Sequence, residues 1–136
     1  MPSPRESARI GAAVRQAIER RCDGTVAVCA SGSLSHRFAQ NGRAPEFMHK
    51  VRDPFLEGAD DAVVEMWKAG RWPESCAMLP MYDDKCFGEG GMHDTAMLPG
   101  ALGWDRYRAG VEVATPCFGS SGTGQINAVF LVTPRE

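Results

Sequence analysis

The segment that most constrains this chain is Thr25-Val26-Ala27-Val28-Cys29-Ala30, a run of small and β-branched side chains with no polar alternation. Branching at Cβ favours a strand over a helix, and a strand with one wet face would alternate. The run therefore reads as a strand buried on both faces, bounded by Asp23-Gly24 and by Gly32. It leaves into Ser31-Gly32-Ser33-Leu34-Ser35-His36. In open α/β sheets, ligands gather at the carboxyl ends of strands. His36 stands there, with a side chain type that gains and loses a proton near neutral pH. Taken alone it is equally a loop histidine without chemistry.

Around this strand the pattern is one of helices. Ile10, Val14, Ala17 and Ile18 recur at helical spacing over residues 4–21, with Ser3 as N-cap and Pro4 in the first turn. Helix, turn and buried strand make an α/β unit. Residues 37–52, with Asn41-Gly42 and Pro45, read as an irregular segment holding a short helix. A second helix is predicted over 53–69, capped by Asp53, with Phe55, Ala59, Val63, Met66 and Trp67 as its apolar stripe and Gly70 at its end. A third starts at Trp72 and is interrupted by Pro80. A fourth, over 92–102, is disturbed by Pro99 and closes at Gly103-Trp104. Two strands follow, at 111–118 and 126–132, joined by the tight loop Gly119-Ser120-Ser121-Gly122-Thr123-Gly124. The fold class is therefore α/β, a mixed central sheet flanked by helices, in one domain over residues 1–136.

The 136 residues carry a formal charge of −2, which gives no electrostatic footprint for nucleic acid or an anionic membrane. No apolar run is long enough to span a bilayer, and the start of the chain lacks the apolar core of a signal peptide; a cytoplasmic protein is expected. The five cysteines, Cys22, Cys29, Cys76, Cys86 and Cys117, include no CxxC pair, so a zinc ribbon is excluded and reduced thiols are expected. Cys29 falls in the buried run, where a thiol acts as a small hydrophobe.

Two glycine-rich segments accompany His36. In Gly88-Glu89-Gly90-Gly91-Met92-His93-Asp94, glycines on both sides of Glu89 suit a carboxylate aimed into a site, though a solvated loop with a helix cap is the alternative. The loop at 119–124 lacks the GxxxxGK[ST] pattern of a phosphate-binding loop. Gly32-Ser33-Leu34-Ser35-His36 does not match the GxSxG of a serine hydrolase. Two histidines and a carboxylate form the facial triad of oxygen-activating iron sites. His36 and His93, with Glu89 or Asp94, could supply such a set on paper, but the spacing does not demand it.

Four blocks together resemble one family, the class III extradiol ring-cleavage dioxygenases of the protocatechuate 4,5-dioxygenase type. They are Asp23 to Val28 running into Ala30-Ser31-Gly32-Ser33-Leu34-Ser35-His36-Arg37-Phe38; Gly88 to Thr95; Leu102-Gly103-Trp104-Asp105-Arg106-Tyr107; and Ser120 to Phe130. The resemblance implies an enzyme that opens a catechol such as 3,4-dihydroxyphenylacetate beside its diol, with non-haem Fe(II) and O₂; 2-aminophenol dioxygenases share much of the pattern. It implies that His36 is the acid/base, assisting substrate deprotonation and returning the proton, and that Glu89 is the carboxylate iron ligand, with Asp94 as fallback. It implies too that His93 supports the site or the fold. The family's two histidine ligands come from its N-terminal half, to which nothing here corresponds. The chain then corresponds to the C-terminal half of the catalytic domain. Expected partners are the catechol and O₂, and either further copies of itself or a chain supplying the N-terminal half. The competing reading is a non-catalytic relative that serves in binding or assembly.

Overall fold

The computed structural model describes residues 2–113 and 115–132, Asn41 by its backbone alone. Helix α1 spans Pro4–Arg21 and starts as predicted: the Ser3 side chain accepts from the Glu6 amide, and the Ser3 amide donates to the Glu6 carboxylate at 2.7 Å. Its buried face differs from the expected stripe. Ile10 is 52% exposed and Val14 is exposed too, while Ser7, Ala8 and Gly11 are buried. The cause is the partner helix. A Cβ at Gly11 would strike the carbonyl of Met97, and one at Gly100 would strike the backbone of Ala8. Two backbones this close accept only small residues between them, so the small side of α1 faces inward and its branched side faces out.

Helix α2 (Pro54–Lys68) is capped by Asp53, whose carboxylate accepts from the Leu56 amide at 3.1 Å, and Gly70 follows it at φ +68°. Leu56, Asp60, Val63, Val64 and Trp67 are buried, and Phe55, placed in the expected stripe, is exposed. Helix α3 (Trp72–Cys86) runs through Pro80, and α4 (His93–Leu102) runs through Pro99. Neither proline breaks its helix. Each removes one hydrogen bond, but Tyr82 and Cys86 beyond Pro80, and Gly100 and Ala101 beyond Pro99, are buried and hold the last turns in place.

The predicted strand at 25–30 is the main correction. These residues are exposed, adopt no strand, and make no backbone hydrogen bond among the described residues. The missing alternation had implied cover on both faces, but all six residues are exposed. Cys29 is exposed with it. The strands that do form are β1 (Val111–Val113), β2 (Phe118–Ser120), β3 (Thr123–Gln125) and β4 (Ala128–Phe130). They make two separate antiparallel ladders, β1 with β4 and β2 with β3, so the described residues mix helices with small antiparallel sheets and form no central sheet. The single strand expected over 111–118 is two, because Pro116 between them cannot donate to a ladder; Ala114 lies outside the described residues. The loop expected at 119–124 is a hairpin whose two turn residues, Ser121 at φ +53° and Gly122 at φ +90°, have the left-handed backbone of a tight strand reversal.

The core lies between α2, α3 and the β1–β4 ladder. Trp72 and Tyr82 are fully buried, and Trp72 meets Tyr107 edge-on at 4.8 Å and Phe130 at 5.4 Å. Trp67 donates its indole N–H to Ser75 at 2.9 Å. This aromatic block forms one side of the platform on which the polar segment 33–36 is laid.

Candidate functional site

The segment after the exposed run is held far more tightly than the run itself. Ser33, Leu34 and Ser35 are buried. Leu34 donates to the Gly124 carbonyl at 2.8 Å, Gly124 donates back to Ser35 at 2.9 Å, and the His36 amide donates to Phe87 at 3.0 Å. An antiparallel bridge joins Ser35 to Gly88. The hairpin β2–β3 thus lies on one side of this segment and the end of α3 with the glycine cluster on the other. Further along, the Ala39 amide donates to Ser121 at 2.8 Å, and Gly122 and Arg52 bond across at 3.0 Å.

This lacing brings His36, Glu89 and the 119–124 hairpin together. His36 Nε2 lies 3.8 Å from Glu89 Oε1, with the two side chains 37% and 39% exposed. Glu89 opens a short 3₁₀ turn, Glu89–Met92, in which Gly90 (φ +57°) and Gly91 (φ +68°) both take left-handed backbone. The glycines after the carboxylate are thus required by the turn that presents it. Glu89 Oε2 accepts the Ser33 amide, and that bond, then the Ser33 hydroxyl and the nearby His36, hold its carboxyl below the usual range. Gln125 extends the support, donating to the Ser33 hydroxyl at 2.5 Å and to Thr123 at 2.7 Å. One oxygen of Glu89 is therefore anchored, and the other faces His36 at an open surface. His36 stacks on Phe38 with ring centroids 6.2 Å apart.

The remaining sequence candidates fall elsewhere. His93 Nδ1 is 2.8 Å from the buried Ser7 hydroxyl, so this ring ties α4 to α1. Asp94 packs its carboxylate against Gly32, where a Cβ would collide with it, and accepts the Thr95 amide at 2.8 Å. His49 is exposed. Among the described residues no three His, Cys, Asp or Glu side chains form a metal-holding group. A carboxylate with one anchored and one outward oxygen fits a hard or borderline metal as a single ligand. His36, beside it, fits a proton carrier.

One residue of the site was not anticipated. Asp60, on α2, is 0% exposed and sits under Ser35, accepting the Ser35 amide at 3.0 Å, the Ser35 hydroxyl at 2.7 Å and the Tyr82 hydroxyl. Burial pushes its pKa up, against the pull of those three bonds. A Cβ at Gly124 would overlap this carboxylate. The sequence held a signal for it: Asp60 falls four residues after Leu56 and three before Val63, on the apolar face of its helix.

The family model described as the catalytic LigB subunit of aromatic ring-opening dioxygenase matches residues 1–131. The chain is 49% identical over 113 residues to a protein of Escherichia coli named 3,4-dihydroxyphenylacetate 2,3-dioxygenase, a match covering 83% of this chain and 41% of that protein. The chain thus spans about two fifths of that curated relative. No described helix is long and apolar enough to cross a membrane. With a family match across nearly every residue and a relative at this identity, the chain belongs to the LigB family of aromatic ring-opening dioxygenases.

Proposed function

We infer that this chain carries the C-terminal half of an extradiol dioxygenase site that opens a catechol, with 3,4-dihydroxyphenylacetate the first substrate to try, given the name of the E. coli relative. The observation that carries the reading is the 3.8 Å approach of His36 to a carboxylate whose other oxygen is tied down by Ser33. In this reading Glu89 Oε1 is one protein ligand of Fe(II), the other two coming from the part of the family polypeptide without a counterpart here. The α/β sheet of the whole enzyme is completed by that same part. Fe(II) would be held in part by Glu89 and would supply the activation of O₂ that ring opening requires.

The work of the chain's own residues follows from their positions. His36 Nε2 takes the proton of a catechol hydroxyl from its place 3.8 Å from Glu89 Oε1. Returning that proton as the ring opens leaves the side chain ready for another turnover. Both atoms of O₂ enter the product, so no external reductant is called for. The partial exposure of His36 and Glu89 leaves room for a planar ring to lie against them.

The test uses the chain together with the remainder of the E. coli enzyme. Ring cleavage of 3,4-dihydroxyphenylacetate and iron content are measured for the parent, Glu89→Ala and His36→Ala. Glu89→Ala is expected to lose iron. His36→Ala is expected to keep it and to slow turnover by about 10²–10⁴-fold, the range for a lost acid/base. Turnover near the parent rate in His36→Ala sinks its assigned role. Iron retained by Glu89→Ala sinks the ligand assignment. An assembled complex that neither binds iron nor cleaves catechols supports the non-catalytic reading instead.

A further inference from the structure

Beside His36 stands a ring with no assigned task, that of Phe38. A lone exposed phenylalanine is ordinary on a protein surface, and its exposure alone says nothing. Phe38 differs in its neighbour and in how its backbone is held. Its ring lies 6.2 Å from that of His36, centroid to centroid, and within 16° of parallel. It is 48% exposed. The backbone under it is pinned. The Phe38 carbonyl accepts from the Arg52 guanidinium at 3.2 Å, the Ala39 amide donates to Ser121 at 2.8 Å, and a Cβ at Gly122 would strike the Arg37 carbonyl. A side chain on backbone tied this closely to the hairpin is a fixed wall, because the residues that support it are themselves held. Phe87, whose carbonyl accepts the His36 amide, also has an exposed ring, but that ring is engaged: the Arg37 guanidinium lies over it at 5.4 Å.

We propose that Phe38 is a substrate-binding residue, the wall on which the ring of the catechol packs while a hydroxyl meets His36. The proposal rests on the extradiol reading above. A catechol whose hydroxyl reaches His36 Nε2 brings its own ring alongside the imidazole, and Phe38 is the aromatic ring found there. Aromatic rings attract one another in offset or edge-on arrangements at centroid separations of about 4.5–7 Å. Phe38 carries no titratable or hydrogen-bonding side-chain group, so it grips the bound ring and the reacting ring alike. Uniform binding of this kind lowers KM and leaves kcat alone. The opposite signature belongs to a residue that only props His36, since losing a prop misplaces the acid/base and lowers kcat. The opened product has no aromatic ring and gives up the contact, which favours its release.

The experiment assembles the full chain with the remainder of the E. coli enzyme and measures kcat and KM for 3,4-dihydroxyphenylacetate in the parent, Phe38→Ala, Phe38→Tyr and Phe55→Ala. Phe55 is an exposed ring on α2 and serves as the control. Phe38→Ala is expected to raise KM about tenfold or more with kcat within about twofold. Phe38→Tyr keeps the ring and should keep KM near the parent value, and Phe55→Ala should match the parent. The proposal is overturned if Phe38→Ala leaves KM unmoved, if kcat falls in place of a rise in KM, or if Phe55→Ala raises KM as much. If the complex is inactive or does not form, the isolated chain decides. Its Phe38 and His36 ring signals are followed by NMR while 3,4-dihydroxyphenylacetate is added without iron. Saturable shifts of both rings, weakened about tenfold or more in Phe38→Ala, uphold the proposal and count only against the functional reading. Absent shifts, or shifts unchanged in Phe38→Ala, overturn it.

Discussion

Asp60 does at one point what a whole element does elsewhere: it holds Ser35, the residue next to His36, by both amide and hydroxyl. Taking this carboxylate out of water makes it costlier to ionise, and that burial raises its pKa in spite of the three donors. The consequence for stability has a definite sign. As pH rises past 3.8 the unfolded chain ionises Asp60 freely while the folded chain still resists, so stability falls until the folded group has also ionised. Urea unfolding followed from pH 3 upward should show the stability of the parent relative to Asp60→Asn falling over that window. Gly124→Ala should cost about 2–3 kcal/mol in the same assay, the range for overpacking a closed site, because the methyl group falls on the Asp60 carboxylate. The thiols divide just as sharply. Burial pushes Cys76 and Cys117 up to about 12, whereas Cys22 and Cys29 are exposed. Iodoacetamide at pH 8, read by peptide mass spectrometry, should label Cys22 and Cys29 well before Cys76 and Cys117.

At the scale of elements, helix starts were legible and helix faces were not. Ser3-Pro4 and Asp53-Pro54 announce α1 and α2 because a cap and a proline act within a single turn. Which side of α1 goes inward depends instead on Gly11 meeting Met97 and Gly100 meeting Ala8, contacts between residues far apart in the chain. Gly100→Val should therefore unseat α1 and cost more than about 3 kcal/mol, whereas Ile10→Ala, on the exposed side, should stay within about 0.5 kcal/mol by urea titration. Pro80 and Pro99 misled for the same reason: packing beyond the proline outweighs one lost hydrogen bond. At the site, composition left His36 and Glu89 open, and the resemblance of their blocks to the extradiol dioxygenases singled them out; the structure does place them side by side. Their chemical roles are proposals. Asp60 was hidden because a carboxylate in the middle of a helix looks solvated until its neighbours are folded against it. The 25–30 run misled because its composition describes cover that no described element provides.

For the whole molecule, that run and the β4 edge make one apolar rim. Val28→Lys with Val129→Lys should raise the solubility limit of the isolated chain while moving its urea midpoint by less than about 0.5 kcal/mol equivalent, since neither side chain is packed. The site itself has a different kind of protection, lodged in the hairpin. Gly119 and Gly124 are paired across it, and each is bare where something must come close: the Lys50–Val51 backbone at one, the Asp60 carboxylate at the other. Sliding one strand past the other by a single residue, with Gly124 kept in place, brings the side chain of Phe118 or Ser120 against Lys50. Sliding it with Gly119 kept in place brings Thr123 or Gln125 against Asp60. The pair behaves as a lock with two wards, so a misregistered hairpin cannot close over Ser35, and His36 meets Glu89 only in a chain that has threaded correctly.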